Sequence, residues 1–396
     1  MRTLAIWISI SAFLHCACSN KPTTTESAII RKGVTEICIN PPYDNLLQMD
    51  SIFSSIEAIK LETNKQCLIS NHRKILFDNN QIFISNETNN LFVFSDKGEF
   101  IREISKKGRG PEEFFELRDF QIDFEGNIHI LDYLRVLVYT NDGKLIETIK
   151  FEAPDNSVVL NPLAFSLSEK KGEYYLWGGS FGIESNVNNN HFALYRIDKS
   201  GNFTERYFPV KHSIMGNGNR FRFFDNFTNI TPVFGNDTIY SIDNGELKSR
   251  YYVNFGDRSL KEKIPDNFSS LGEFKSRLNS KYVTGIYDFI ETSNWCYMTF
   301  PFNGLVYKAY YSKKSENVFV SLSNPRLPNR IAPLWIDTNF DDKLIAMKSA
   351  GFIVREIERL MTDTSKLSEE EKHFIQSLLD VKDTDNPVLL VCEMKE

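Results

Sequence analysis

Histidine and cysteine are scarce, with six of each in 396 residues. The chain has no Cys-x-x-Cys pair, no His-Glu-x-x-His and no Cys/His spacing of the zinc type. These absences remove the zinc-finger and zincin classes and any disulfide scaffold. No Gly-Lys-Ser/Thr loop or dinucleotide fingerprint is present, and an α/β-hydrolase is not expected either. Positive charge is not in excess: 46 Lys+Arg stand against 52 Asp+Glu, a net charge of −6. A nucleic-acid partner would want a concentrated basic face, so none is expected. Glycine and proline are unremarkable at 20 and 14, whereas Phe at 32 and Tyr at 16 are plentiful. With 41% hydrophobic and 25% charged residues the composition is that of an ordinary globular protein, either two or three domains or one large all-β domain.

The chain begins with Met1-Arg2 and an apolar stretch from Leu4 to Leu14. That stretch has the length of a signal-peptide core and is too short to cross a bilayer as a helix. It ends in Ala17-Cys18-Ser19-Asn20, which resembles the bacterial lipobox: a small residue before a cysteine whose thiol is diacylated and whose amine is acylated after cleavage. Cys18 is the expected lipidated residue, because Cys16 follows the bulky His15. Residues 1–17 then form the signal peptide. Residues 18–30, rich in Ser, Asn and Thr, form a flexible tether, and residues 31–396 form the folded body. Several acyl chains hold a membrane firmly, since each buried methylene adds ~0.8 kcal/mol. The expected address is the outer membrane facing the periplasm, because Glu26 is the one acid near the cysteine; surface exposure is the alternative. Cys67, Cys296 and Cys392 read as buried thiols, with one disulfide as the other reading.

Past residue 30, short β-type runs are separated by Gly/Asn/Asp turns. One unit reads Ile82-Phe83-Ile84, Leu91-Phe92-Val93-Phe94, Asp96-Lys97-Gly98, Phe100-Ile101-Arg102-Glu103-Ile104. Its next copy runs from Ile128 through Val136–Tyr139 and Asn141-Asp142-Gly143 to Leu145–Ile149, with Gly98 and Gly143 45 residues apart. Looser copies surround Gly201 and Gly245, and weaker ones lie at Leu305–Tyr311 and Leu344–Met347. Apolar/polar alternation turns one face of each strand inward, and Asp-x-Gly marks a hairpin. Four-stranded units recurring every ~45 residues predict an all-β fold, a six-bladed β-propeller. Helical insertions are expected at Asn267–Tyr282, at 349–361 and at 368–380. Ser368 and Glu371 form a capping box in the last of these, and Phe374, Ile375, Leu378 and Leu379 give it an apolar face. Their expected role is docking on a blade edge.

The early strand Ile59-Lys60-Leu61-Glu62-Thr63, the segment Lys107-Gly108-Arg109-Gly110-Pro111-Glu112-Glu113-Phe114 and the opening Asp385-Asn386-Pro387 of the last strand together resemble the six-bladed β-propeller lipoproteins of Bacteroides-type bacteria, whose repeats are similar to NHL blades. The resemblance spans roughly residues 50–396. It implies a secreted, lipid-anchored propeller without a settled activity, and it supplies no catalytic residues.

The residues themselves suggest a few candidates. Gly108 and Gly110 permit unusual backbone angles and could present N–H groups to an anion, with Arg109 as the charged arm. The plainer reading is a tight inter-blade connection. Trp177, at the head of a Gly-rich loop, could stack a ligand ring, or simply pack between blades. His129 alternates with Ile128 and Ile130 on a strand and reads as outward- or channel-facing. Asp119, Asp123 and Asp132 stand near the second blade; Ca²⁺ is the one cofactor they leave open, hairpin turns being the commoner use of such acids. No catalytic or metal residue is assigned.

The favoured function is a lipid-anchored binding or interaction module of the cell envelope, engaging a glycan, peptide or envelope protein. The alternative is a lactonase- or lyase-like propeller enzyme with an axial metal site, and a third reading is an accessory of an outer-membrane complex. Cys18→Ala is expected to abolish processing and to release the protein from detergent-extracted membranes into the soluble fraction, as scored by fractionation and mobility; unchanged retention would remove the anchor.

Overall fold

The structure is a computed structural model that describes residues 33–40, 43, 52–104, 107–152, 161–168, 172–178, 192–209, 220–225, 227–231, 235–260, 277–278, 280–322, 331 and 335–395. The chain divides into Met1–Val34 and Thr35–Glu396. Cys18 and the tether lie outside the described residues.

The second unit is a six-bladed β-propeller. Blade 1 comprises His72–Asp78, Gln81–Asn86, Leu91–Ser95 and Phe100–Glu103. Blade 2 comprises Asp119–Ile122, Ile128–Asp132, Arg135–Tyr139 and Leu145–Lys150. Blade 3 comprises Ala164–Leu167, Tyr174–Trp177, Phe192–Ile197 and Phe203–Pro209. Blade 4 comprises Phe221–Phe224, Phe227–Ile230, Thr238–Asp243 and Glu246–Asn254. Blade 5 comprises Asp288–Glu291, Trp295–Phe302, Leu305–Ser312 and Val318–Leu322. Each is an antiparallel meander, and the first strand of every blade touches the first strands of both neighbours, so these six strands ring the axis.

Blade 6 closes the ring. Its three inner strands are Thr338–Phe340, Lys343–Lys348 and Val388–Met394; its outermost strand is Phe53–Lys60, from the other end of the chain, paired antiparallel to Val388–Met394. Asn386 fastens this junction. Its Nδ2 donates to the carbonyls of Glu62 and Cys67, both at 2.7 Å, and its Oδ1 accepts from Ile69 N–H at 2.8 Å. The Asp-Asn-Pro opening of the last strand therefore serves as a clasp between blades 6 and 1. A further strand absent from the sequence reading, Thr35–Cys38, runs parallel to the outer strand of blade 4 and buries Ile37. Its Thr-Glu-Ile-Cys-Ile alternation was the available signal.

Six apolar clusters fill the six blade junctions. Consecutive residues of one strand serve different junctions: Ile82 and Ile84 pack toward blade 6, and Phe83 packs toward blade 2. Central strands thus bury both faces, as all of Leu91–Phe94 does. The expectation of one inward face per strand fails here because every sheet is sandwiched between two others. Alternation survives in outer strands such as Glu246–Asn254.

Helix α1 (Ala350–Met361) and helix α2 (Glu369–Gln376) are inserted between the second and third strands of blade 6. The Ser368–Glu371 capping box forms. Ile353, Ile357, Leu360, Ile375 and Leu378 join the cluster shared by blades 5 and 6, so both helices pack against the ring. Leu379, expected on the apolar face, is half-exposed because α2 ends before it. The expected insertion at Asn267–Tyr282 falls largely outside the described residues. Cys67, Cys296 and Cys392 are buried free thiols, and Cys38, absent from the sequence expectation, is exposed. Burial pushes the Cys296 and Cys392 thiols up to about 12.

The repeated turn glycines have a second cause besides hairpin geometry. Gly98 adopts φ +87°, and a Cβ there would stand 2.2 Å from the Lys60 carbonyl oxygen of the preceding blade; Gly201 meets the Lys150 carbonyl in the same way. Gly126 has a similar φ of +78° with open space around it. Gly98→Ala is expected to cost about 3 kcal/mol, combining backbone strain with a backbone clash. Gly126→Ala should cost only about 1 kcal/mol for the left-handed conformation. Urea unfolding of the two variants checks the difference, and equal losses would show that the inter-blade approach carries no energy.

Candidate functional site at one end of the axis

Strand direction alternates within each blade. The starts of the inner strands, the hairpins between second and third strands and the blade-to-blade connections therefore share one end of the axis, the connection face. The remaining hairpins share the other, the hairpin face.

The Lys107–Phe114 segment is the connection from blade 1 to blade 2, on the connection face. Its glycines do not adopt positive φ, contrary to the expectation from sequence. They make room for a side chain: a Cβ on Gly108 would stand 1.8 Å from Glu113 Oε2. Gly110 N–H donates to that same oxygen at 2.7 Å, and Gly108 N–H donates to the Phe114 carbonyl at 3.0 Å. The place offered to an external anion is thus held by the loop's own carboxylate. Asp132 fixes the following turn, accepting from the N–H groups of Phe115 and Glu116 and pairing with Arg135 at 2.6 Å. Arg109 lies over the half-exposed Phe115 ring. Phe115 in turn meets Tyr133, whose other neighbour is the Arg118 guanidinium, 3.8 Å from the ring centroid.

Trp177 also lies at the connection face, at the end of the second strand of blade 3. It is nearly buried in the cluster between blades 3 and 4, and Arg220 stands 5.3 Å from its ring centroid. Gly178 to Gly182 spells Gly-x-Ser-x-Gly, which the sequence reading passed over. It follows a strand of an antiparallel blade, whereas a nucleophile elbow joins a strand to a helix; Gly179–Gly182 lie outside the described residues.

The three acids weighed for Ca²⁺ are separated and engaged. Asp119 pairs with Lys74 at 2.7 Å and accepts from the N–H groups of Phe120 and Phe165. Asp123, at the hairpin face, accepts from His129 Nε2 and from Asn127. Burial opposes its charge, but these hydrogen bonds outweigh that and hold the carboxyl well below the usual carboxylate range. The other nitrogen of His129 meets Tyr174 Oη at 3.0 Å. Among the described residues no three His, Cys, Asp or Glu side chains gather as a metal would require.

Sequence reasoning missed the basic groups at the axis. Arg222, from blade 4, donates to both oxygens of Asp288 in blade 5 and to the Asp337 carbonyl of blade 6, at 2.6–3.0 Å. His72 of blade 1 meets Asp337 Oδ1 at 2.8 Å, and Met347 N–H takes Oδ2. Groups from all six blades are thereby matched across the mouth: Lys74 of blade 1 to Asp119 and the Phe120 carbonyl of blade 2, Asp119 to the Phe165 N–H of blade 3, Arg222 of blade 4 to Asp288 of blade 5, and His72 to Asp337 of blade 6. Their signal in the sequence is a charge inside an apolar run, as in Phe221-Arg222-Phe223 and Tyr307-Lys308-Ala309.

Lys308 is the exception to this matching. It is 2% exposed, faces blade 6 from the register row Asp288–Thr299–Lys308, and has no hydrogen-bond or ion-pair partner among the described residues. Its Nζ stands 5.3 Å from the centroid of the half-exposed Trp335. Burial, and then the like charge of Lys348 across the junction, lower its pKa from 10.5 to about 7, equivalent to roughly 5 kcal/mol against the ammonium. Burial lowers Lys348 as well, and Asp337 partly restores it.

The linkage has a definite sign. Between pH 7 and 10.5 the unfolded chain holds a proton at this lysine that the folded protein lacks, so stability from this group rises with pH across that window. Below pH 7 both states are charged and the full penalty stands. Lys308→Met should therefore stabilise the protein at pH 6, with a gain that shrinks as pH rises to 9 in paired urea titrations. A pH-independent difference would mean that the lysine has an ordinary pKa.

No curated protein matches the chain. Among solved structures, a "Putative exported protein" of Bacteroides fragilis superposes with a TM-score of 0.71 at 18% identity, covering 91% of this chain and all of that one. The Pan2 WD40 domain of Neurospora crassa (TM-score 0.38, 12% identity, 76% of this chain and 80% of that one) and a protein of unknown function from Bacteroides caccae (0.39, 11%, 63% and 81%) are more distant. The chain belongs to the family described as Domain of unknown function (DUF4934), which it matches over residues 34–393.

Proposed function

We propose that this protein is an exported binding module, tethered to the bacterial envelope by lipid on Cys18, with NHL-like blades that present the connection face to a glycan, peptide or envelope protein. The observation that carries the reading is the set of half-exposed aromatic rings that the blade connections place on that face, Tyr287 just before the first strand of blade 5, Trp335 just before that of blade 6, and the Arg109–Phe115–Tyr133–Arg118 stack. Aromatic planes beside guanidinium groups suit the recognition of rings and anionic groups. The superposable Bacteroides fragilis protein, named as exported, supports an address outside the cytoplasm. No described helix is long and apolar enough to cross a membrane.

The test is a tryptophan-fluorescence titration of the full chain against acidic and neutral polysaccharides and peptidoglycan fragments. Saturable binding that Trp335→Ala weakens at least tenfold, and that the hairpin-face variant Phe124→Ala leaves intact, supports the reading. Equal binding by both variants would move the site elsewhere. Conversion of a bound saccharide or lactone to product would favour the propeller-enzyme alternative.

A further inference from the structure

We infer that Lys308 and Lys348, facing each other across the junction of blades 5 and 6 beside Trp335, form a site for an oxyanion, the carboxylate or phosphate group of a ligand. The inference deepens the reading of the connection face as the binding face and rests on it.

Two ammonium groups are brought into one apolar junction. Lys308 comes from the third strand of blade 5, and Lys348 from the end of the second strand of blade 6. Lys308 is 2% and Lys348 8% exposed. Beneath them the junction is filled by Ile290, Tyr297, Tyr310, Ala346 and Val388. The only hydrogen bond of the Lys348 ammonium among the described residues is a long one, 3.5 Å to the Trp335 carbonyl. Lys308 has none. Like charges placed together repel, and burial costs each of them solvation, which the long Trp335 contact and the Asp337 charge return only in part and only to Lys348.

Every charged group facing the pair is otherwise engaged. Asp288, in the same register row as Lys308, binds Arg222 through both oxygens. Asp337, the acid nearest Lys348, is held by His72 and by Met347 N–H. Arg222 is committed to these same two residues, to the Asp288 carboxylate and the Asp337 carbonyl. The Cys392 thiol stays protonated, pushed up to about 12 by burial. The positive charge of the pair is therefore compensated only in part, by Asp337 acting on Lys348, and not at all at Lys308. An oxyanion between the ammonium groups would accept charge-assisted hydrogen bonds from both and cancel their repulsion. Trp335, half-exposed beside them, would cover the group bearing the anion.

Binding must take up a proton wherever Lys308 is neutral, so affinity should fall as pH rises through 7. Trp335 fluorescence is read while the full chain is titrated with D-glucuronate, glycerol phosphate and, as the neutral control, glucose, at pH 6 and pH 8.5. The expected result is saturable binding of an oxyanion at pH 6, about thirtyfold weaker at pH 8.5, with no response to glucose. The preferred oxyanion identifies the ligand as an acidic sugar or a phosphorylated group. Lys308→Met should lose the binding, while Lys308→Arg should keep it and lose the pH dependence. Wild-type affinity in Lys308→Met, or pH-independent affinity in the wild type, overturns the site. If oxyanions fail at pH 6 while the polysaccharide panel still gives Trp335-dependent binding, this inference falls and the binding-face reading stands. If both fail, both fall.

Discussion

Pairing of Phe53–Lys60 with Val388–Met394 is the constraint on which the rest of the structure depends. Each blade exposes two apolar faces, and neither is buried unless both neighbours are present. Five blades follow from chain order, but the sixth is made of residues more than three hundred positions apart. Loop-closure entropy grows only slowly with chain length, so joining such distant segments is affordable once the junction clusters form. The Asn386 clasp and the Lys60–Asp380 ion pair, the latter exposed and weak, lie at this seam. Losing the strand would expose one edge and two junctions together, and would remove the ring that sets the axial side chains against one another.

Closure also explains why charge collects at the axis. Between blades, large side chains such as Phe83, Tyr139 and Tyr195 fill the space. Toward the axis the sheets converge, and the side chains there are held by hydrogen bonds to the neighbouring blade. Asp119 accepts from Lys74 on one side and from Phe165 N–H on the other, spanning three blades. A second such node, Glu291, lies between blades 4 and 5 with no side-chain exposure. It accepts from Arg250, Lys313, Tyr251 and Asn229. Burial would raise its pKa, but these donors outweigh burial and hold the carboxyl below the usual range. A buried charge so fully satisfied fixes register between blades more than it adds stability.

The architecture was legible because it repeats. Spacing of Gly98 and Gly143, and the runs between them, identified strands two to four of a blade, and Ser368 with Glu371 marked a helix start that the structure forms. Local signals carried these features. The Lys107–Phe114 connection was recognised as distinctive, but its purpose was not: whether its N–H groups face an outside anion or Glu113 depends on a turn whose closure is fixed by Asp132 from another strand. The axial cations were not legible at all. Lys308 and Arg222 look like ordinary strand charges until the ring assigns each a neighbour, and neighbours across a junction come from separate repeats. What could have been noticed is that a lysine between Tyr307 and Ala309 interrupts a strand otherwise suited to burial.

Stability and specificity pull against each other at the junction of blades 5 and 6. Methionine at position 308 would fill the same volume without the desolvation penalty, and the surrounding cluster is already apolar. The ring can tolerate the unmatched ammonium because five other junctions, two docked helices and the closing strand stabilise it independently. Domains sit only some 5–15 kcal/mol above unfolding, so a penalty of several kcal/mol at one side chain is a large fraction of the margin. The axial ion pairs Lys74–Asp119 and Arg222–Asp288 offer no such excess, since in each the cation has its acid. A pair of unmatched ammonium groups beside axial ion pairs that are matched is the kind of local inconsistency that marks a site made for something outside the chain.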